Sequence, residues 1–103
     1  MKNTLINELY LGFMRIHILH HACSERVYGT WLMEELGRHG YEVGPGTLYP
    51  MLHRMEEGGL LQSEYKTVSG KRRRYYQATE KGEKTLKIAR EQMMELVREV
   101  NEE

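Results

Sequence analysis

One cysteine, Cys23, is all that this chain of 103 residues contains. An internal disulfide framework is therefore excluded, and a reducing, cytoplasmic setting is the simple expectation. No apolar run is long enough to span a bilayer, so no membrane association is expected. The opening Met1-Lys2-Asn3-Thr4 leads straight into a mixed amphipathic segment, without the apolar core and cleavage site of a signal peptide. Net charge is lacking too: 15 basic and 15 acidic residues cancel. The overall basic excess of many DNA-binding domains is thus absent. Nor is there a nucleophile–base pair, a glycine-rich phosphate loop or a His-Glu-x-x-His pattern, so the chain is not expected to be an enzyme.

The charge that is present is unevenly placed. Lys66, Lys71, Arg72, Arg73 and Arg74 lie close together, while acids gather at Glu56-Glu57 and along the tail from Glu91 to Glu103. A neutral protein with a local basic patch should bind DNA with steep salt dependence.

The most informative stretch is Gly44 to Leu61. It reads as one short helix stopped at both ends, with Leu48, Met51, Leu52 and Met55 on one side and Thr47, Pro50, His53, Arg54 and Glu57 on the other. The outer side, compact and mixed in polarity, suits a major groove. Pro50 is expected in the first turn, where no intrahelical N–H partner is lost. Downstream, Leu60–Thr67 alternates roughly by two, Val68–Lys71 signals a turn, and Arg72–Ala78 is a second strand. A hairpin tip bearing Lys71, Arg72 and Arg73 can grip phosphates beside a groove. A solvated edge hairpin guarded by charge is the alternative.

Around these elements the order is helix, helix, helix, hairpin, long helix, in a chain long enough for one modest core. The fold expected is mainly α with a small β-hairpin: a winged helix-turn-helix domain over residues 1–78, then a C-terminal dimerisation helix over 79–103. The first helix spans about Leu5 to Ala22. Its main stripe is Leu5, Leu9, Phe13, Ile16, Leu19 and Cys23, with Leu11, Met14 and Ile18 opposite. The second runs from about Tyr28 to Arg38. Thr79 is a good N-cap for the last. In that helix Leu86, Ala89, Met93, Leu96 and Val100 follow at coiled-coil spacing, which predicts pairing with a second copy. Two copies would present two recognition helices to a two-fold symmetric, double-stranded DNA operator.

Two separate motifs, in order, resemble the signature of the PadR-like transcriptional regulators. One is Gly46-Thr47-Leu48-Tyr49-Pro50-x-Leu52-x-Arg54-Met55-Glu56-x-x-Gly59-Leu60-Leu61. The other is Gly70-Lys71-Arg72-Arg73-Arg74-Tyr75-Tyr76-x-Ala78-Thr79-x-x-Gly82. The single short C-terminal helix is similar to the small subgroup of that family. The resemblance implies a winged helix-turn-helix homodimer that represses a nearby promoter and is released by a ligand, phenolic acids and drugs being among the signals. It puts Thr47, Tyr49 and Pro50 on the DNA-contacting helix start and Lys71, Arg72 and Arg73 on the wing. The chain departs from the family pattern at Tyr28-Gly29-Thr30-Trp31 and at Met55.

The run His17-Ile18-Leu19-His20-His21-Ala22-Cys23 is not required by such a fold. Imidazole and thiolate suit zinc, nickel, cobalt, copper or cadmium. His17, His20, His21 and Cys23 are therefore candidate ligands. His21 and Cys23 point apart on the helix, so an ion would take two of the four. Glu8, His39, His53 or a second chain are available to complete its shell. Plain helix packing is the alternative. Trp31 reads as a core anchor, or as one wall of a pocket for an aromatic or drug-like effector completed by Tyr10, Phe13 and Met93. A winged-helix module that binds protein rather than DNA is a further alternative. It would be insensitive to neutralising Lys71–Arg74.

Overall fold

The computed structural model describes residues 3–102. Its elements are α1 (Thr4–Ser24), α2 (Gly29–Arg38), α3 (Pro45–Glu57), β1 (Leu61–Val68), β2 (Lys71–Ala78) and α4 (Glu80–Asn101). The expected order holds, with ends shifted by one or two residues. Local chemistry sets the boundaries. The Asn3 side chain accepts a hydrogen bond from the Ile6 N–H and caps α1. Gly44 precedes α3 and Gly58 closes it. Thr79 caps α4 by accepting from the Gly82 N–H at 3.0 Å, and its hydroxyl also donates to the Gly59 carbonyl. The hairpin turns through Ser69 (φ 52°) and Gly70 (φ 78°). Two successive left-handed residues match the twist of the flanking strands.

One core holds the elements together. Ile18 and Leu19 from α1, Leu32 and Leu36 from α2, and Leu48, Met51, Leu52 and Met55 from α3 meet Leu61, Tyr76 and Leu86 there. Burying each large apolar side chain contributes about 1.5–3 kcal/mol. The strands pair antiparallel, with Leu61 opposite Ala78 and Val68 opposite Lys71. Val27, between α1 and α2, adds a bridge to the outer edge of β2. Its N–H donates to the Tyr76 carbonyl at 2.9 Å, and the Tyr76 N–H returns the bond at 2.7 Å. That bridge ties the wing to the helix-turn-helix.

The structure resolves one reading and corrects two. The first concerns the two apolar sets of α1. Its main stripe faces outward at the N-terminal end, with Leu5 74% and Leu9 41% exposed, whereas Met14 and Ile18 of the opposite set are buried. Only Leu19 of the main stripe is fully inside. Met14 and Ile18 join the core with Leu19, while Phe13 and Ile16 of the longer stripe lie toward α4. The second concerns Pro50. Because α3 begins at Pro45, that residue and not Pro50 occupies the first turn. Pro50 lies inside the helix and breaks one rung of its ladder. Gly46 and Pro50 are both exposed, so the freed carbonyl faces water rather than the core. The third concerns Leu86, the expected start of an intermolecular seam. It is buried in its own chain's core beside Gly82, where an added Cβ would strike the Leu60 carbonyl. Ala89 and Met93 are half-buried, and the helix runs free of the core only beyond them.

Candidate nucleic-acid interface

Helix α3 buries Leu48, Met51, Leu52 and Met55 and so turns Thr47, Tyr49, Pro50, His53 and Arg54 to the surface together. His53 stands 3.4 Å from Glu57 one turn on, both side chains largely exposed. Tyr49 has a second task. Its ring lies against Gly29 at the start of α2, so closely that a Cβ on Gly29 would overlap it. The backbone of α2 thus comes close to the Tyr49 ring, and a larger residue at 29 fits only if that ring moves.

A notch of about 310 Å³ opens at this junction. Tyr28, Gly29, Thr30 and Tyr49 form one side and Lys71–Arg74 the other. No side chain caps the start of α2, so its first-turn N–H groups and the wing cations face a shared space. Such a place suits a phosphate. Tyr28 and Thr30 are missed by the sequence reading. Their only signal is the unusual Tyr28-Gly29-Thr30 order.

The four wing cations are not equivalent. The Arg72 guanidinium lies 4.0 Å above the Tyr65 ring, and that of Arg73 lies 4.4 Å from the Tyr28 ring. Stacking on aromatic faces holds both in place while leaving their N–H groups available. Lys71 is exposed beside the turn. Arg74 differs: its Nε donates to the Ser63 hydroxyl at 2.9 Å and its Nη2 to Glu56 at 2.8 Å. Ser63 in turn donates to Glu56 at 2.7 Å. This closed triangle straps the wing to the end of α3. Arg74 sets the angle between the wing and α3 instead of serving as a free cation.

On the other side of the core, the histidine segment divides. His17 and His21 of α1 meet His39 at the end of α2, with one ligand atom from each within 4.8 Å of the others. The His17 and His39 rings stack at 4.5 Å. Glu35 Oε2 lies 3.2 Å from Nε2 of both His21 and His39. Burial pushes the pKa of His17 and of His21 down, so at neutral pH both rings are uncharged and keep a lone pair. Burial alone would raise the Glu35 carboxyl. The hydrogen bond from His39, with Arg38 and His21 nearby, outweighs it and holds the carboxyl below its usual range. His20 and Cys23 do not join this group. His20 faces a cavity between α1 and α4. Cys23 packs against the core, and burial together with Glu83 pushes its thiol pKa up. The sequence reading held His39 in reserve and missed Glu35. The spacing of four between them on α2 was the available signal.

The expected aromatic pocket also divides. Phe13 and Met93 line the α1–α4 cavity, about 460 Å³, with Ile16, His20, Tyr41 and Arg90. Tyr10 lies outside it, edge-on to Tyr41 at 5.8 Å. Trp31 packs on the core with its ring 5.2 Å from that of His21. No described helix is long and apolar enough to cross a membrane.

Residues 18–88 match the model of the transcriptional regulator PadR-like family. The transcriptional regulator Rv3488 of Mycobacterium tuberculosis is 52% identical over 95 residues, covering 92% of this chain and 89% of that protein. A PadR family transcriptional regulator from Eggerthella lenta superposes with a TM-score of 0.82 at 33% identity, over 94% of this chain and 86% of that one. A PadR-like transcriptional regulator from Bacillus cereus gives a TM-score of 0.80 at 34% identity, over 87% of this chain and 89% of that one.

Proposed function

This chain belongs to the PadR-like family of transcriptional regulators, and from that premise we propose that it is a homodimeric repressor released from its operator by an effector. It is a DNA-binding regulator and not an enzyme. The observation that carries the reading is the shared outward aspect of the exposed face of α3 and the stacked cations of the wing, joined at the notch. Arg72, Arg73 and Lys71 take phosphates. Thr47, Tyr49, Pro50, His53 and Arg54 face the groove and read bases.

Dimerisation is supported by the apolar side chains left outside the core. Leu96, Val97 and Val100 of α4 are more than half exposed, as is Leu5 of α1, and Leu9 is 41% exposed. A second copy covers such a face by laying its own α4 and α1 against it. Leu96→Asp is expected to give monomers by light scattering and to lose operator binding with them, while the fold persists because Leu96 is not part of the core.

The effector we favour is a transition-metal ion held by the histidines of α1. The second reading is an aromatic or drug-like molecule in the α1–α4 cavity, favoured by the apolar Phe13 and Met93 beside Arg90. Fluorescence anisotropy on DNA from upstream of the gene for this chain, against random DNA, tests the core of the proposal. Tight, salt-sensitive, sequence-selective binding is expected, and zinc, nickel, cobalt, copper or cadmium added singly should relieve it. Equal affinity for both DNAs, or binding that survives removal of the wing cations, would overturn the repressor reading.

A further inference from the structure

Sequence spacing offers four candidate ligands on one helix, yet the fold assembles a different set across two. His17 and His21 stand one turn apart on α1. Glu35 and His39 stand one turn apart on α2 and its C-terminal cap, directly opposite. We propose that His17, His21, His39 and Glu35 form a tetrahedral site for a borderline divalent cation, Zn²⁺ or Co²⁺, that pins α1 to the exit of α2 and so controls operator binding. This rests on the repressor reading above and names the regulatory site within it.

The distances fit the coordination. With metal–nitrogen and metal–oxygen bonds of about 2.0–2.2 Å, neighbouring ligand atoms in a tetrahedron lie about 3.3 Å apart. Glu35 Oε2 is already 3.2 Å from Nε2 of His21 and 3.2 Å from Nε2 of His39. A cation there is ligated by the Nε2 lone pairs of the two rings in the tautomer that carries the proton on Nδ1. His17 supplies the remaining corner: one nitrogen from each of the three rings lies within 4.8 Å of the others, a group that does not take in a Glu35 oxygen, so His17 and Glu35 must draw together to share an ion. Closing that gap takes rotation about the last side-chain torsions, which are broad for histidine. Three nitrogens and one carboxylate oxygen exclude Mg²⁺ and Ca²⁺, which take mostly oxygen. Cys23 lies outside the group, so the site offers no thiolate and holds no special preference for thiophilic ions.

Position gives the site its consequence. His39 caps the C-terminal end of α2. The Gly40 that follows takes φ +89°, and the chain reaches Gly44 at the head of α3 shortly after. Tyr41, in that connection, rests edge-on against His17 at 5.6 Å. An ion held by α1 and His39 together fixes the place from which the recognition helix departs. A cation favours whichever helix arrangement brings the four ligands closest, and it shifts the population by its differential affinity for that arrangement.

The test uses the full-length protein, stripped of metal, with Zn²⁺ and Co²⁺ as probes. Calorimetry should report one Zn²⁺ per chain. Co²⁺ should give the intense visible absorption of a tetrahedral site without a thiolate charge-transfer band. His39→Ala, at an exposed helix end, should abolish the Co²⁺ spectrum in a chain that still unfolds in one cooperative transition. Glu35→Gln should weaken Zn²⁺ by about 10–100-fold, and Cys23→Ala should bind like the native chain. Anisotropy should show operator affinity responding to Zn²⁺ in the native chain and not in His39→Ala. No uptake by the native chain, or uptake indifferent to His39→Ala, would overturn the site. Uptake abolished in His39→Ala with operator affinity indifferent to metal throughout would overturn the control it is proposed to exert. Failure of the metal-free protein to bind its operator would instead overturn the repressor reading, so the two failures are distinguishable.

Discussion

The wing and the histidine cluster are built alike and used differently. Each gathers nitrogen-bearing side chains around aromatic rings and a single carboxylate: Arg72, Arg73 and Arg74 with Tyr65, Tyr28 and Glu56 on one side of the core, His17, His21 and His39 with Tyr41 and Glu35 on the other. Guanidinium is charged at every accessible pH and has no lone pair to give. Its neighbours therefore steady it without neutralising it, and what remains outward is hydrogen-bonding capacity for phosphate. Burial pushes the His17 and His21 imidazoles toward the neutral form. Their capacity is to accept a proton or a metal ion. The same packing logic thus yields a candidate anion-binding surface in one place and a candidate cation site in the other.

That contrast is open to attack, most severely at the wing. Replacing Lys71, Arg72 and Arg73 together with alanine should remove most binding to operator and random DNA alike. The slope of log affinity against log salt should fall by about 0.9 for each phosphate no longer neutralised. An unchanged slope would mean that these stacked cations do not meet the backbone. Separating the two kinds of arginine comes next. Arg74→Ala breaks the triangle with Ser63 and Glu56 and should lower stability by about 1–2 kcal/mol. In a domain of this size that is a fall of about 4–8 °C in melting temperature per kcal/mol. Arg73→Ala should weaken DNA binding with stability unchanged within about 0.5 kcal/mol. Equal destabilisation by the two variants would erase the distinction between strap and phosphate ligand.

A smaller effect is expected at Gly29→Ala. Tyr49 is 43% exposed, so its ring can swing away from the new methyl at little cost in stability. The swing should nonetheless change DNA affinity, because it empties one wall of the notch. Urea unfolding and anisotropy on the same sample separate the two. The mildest expectation concerns Cys23, whose raised pKa and partial burial should make its alkylation at pH 8 slower than that of an unstructured cysteine, with the difference vanishing in denaturant. Fast modification of the folded chain would return the thiol to the set of candidate ligands.

Much of this molecule could be read before it was folded, and the reasons are local. Gly59 and Gly70, both at positive φ, and the capping threonine at 79 mark ends through backbone freedom and side-chain capping within a few residues. The two faces of α3 follow from its own periodicity, so Leu48 and Leu52 were legible as core and Thr47 and Arg54 as surface. Pro50 lies beyond the first turn because its place depends on which residue opens the helix, and Pro45 does so. Helix α1 carries two apolar sets, and counting favoured the longer one. Met14 and Ile18 of the shorter went inside, and Leu5 and Leu9 of the longer stayed out.

The amino-acid sequence alone determined the order of the elements, their capping and turns, and the exposed aspect of the recognition helix, since each depends on residues within one or two turns of one another. Tertiary structure decided how those elements are rotated and docked. It chose the buried stripe of α1, parked Arg74 on Glu56 while leaving Arg72 and Arg73 on aromatic rings, and set His39 and Glu35 opposite His17 and His21 in place of His20 and Cys23. Helical periodicity fixes the angle between two side chains on one helix. It carries no information about the angle between that helix and the next, which the shared core alone imposes.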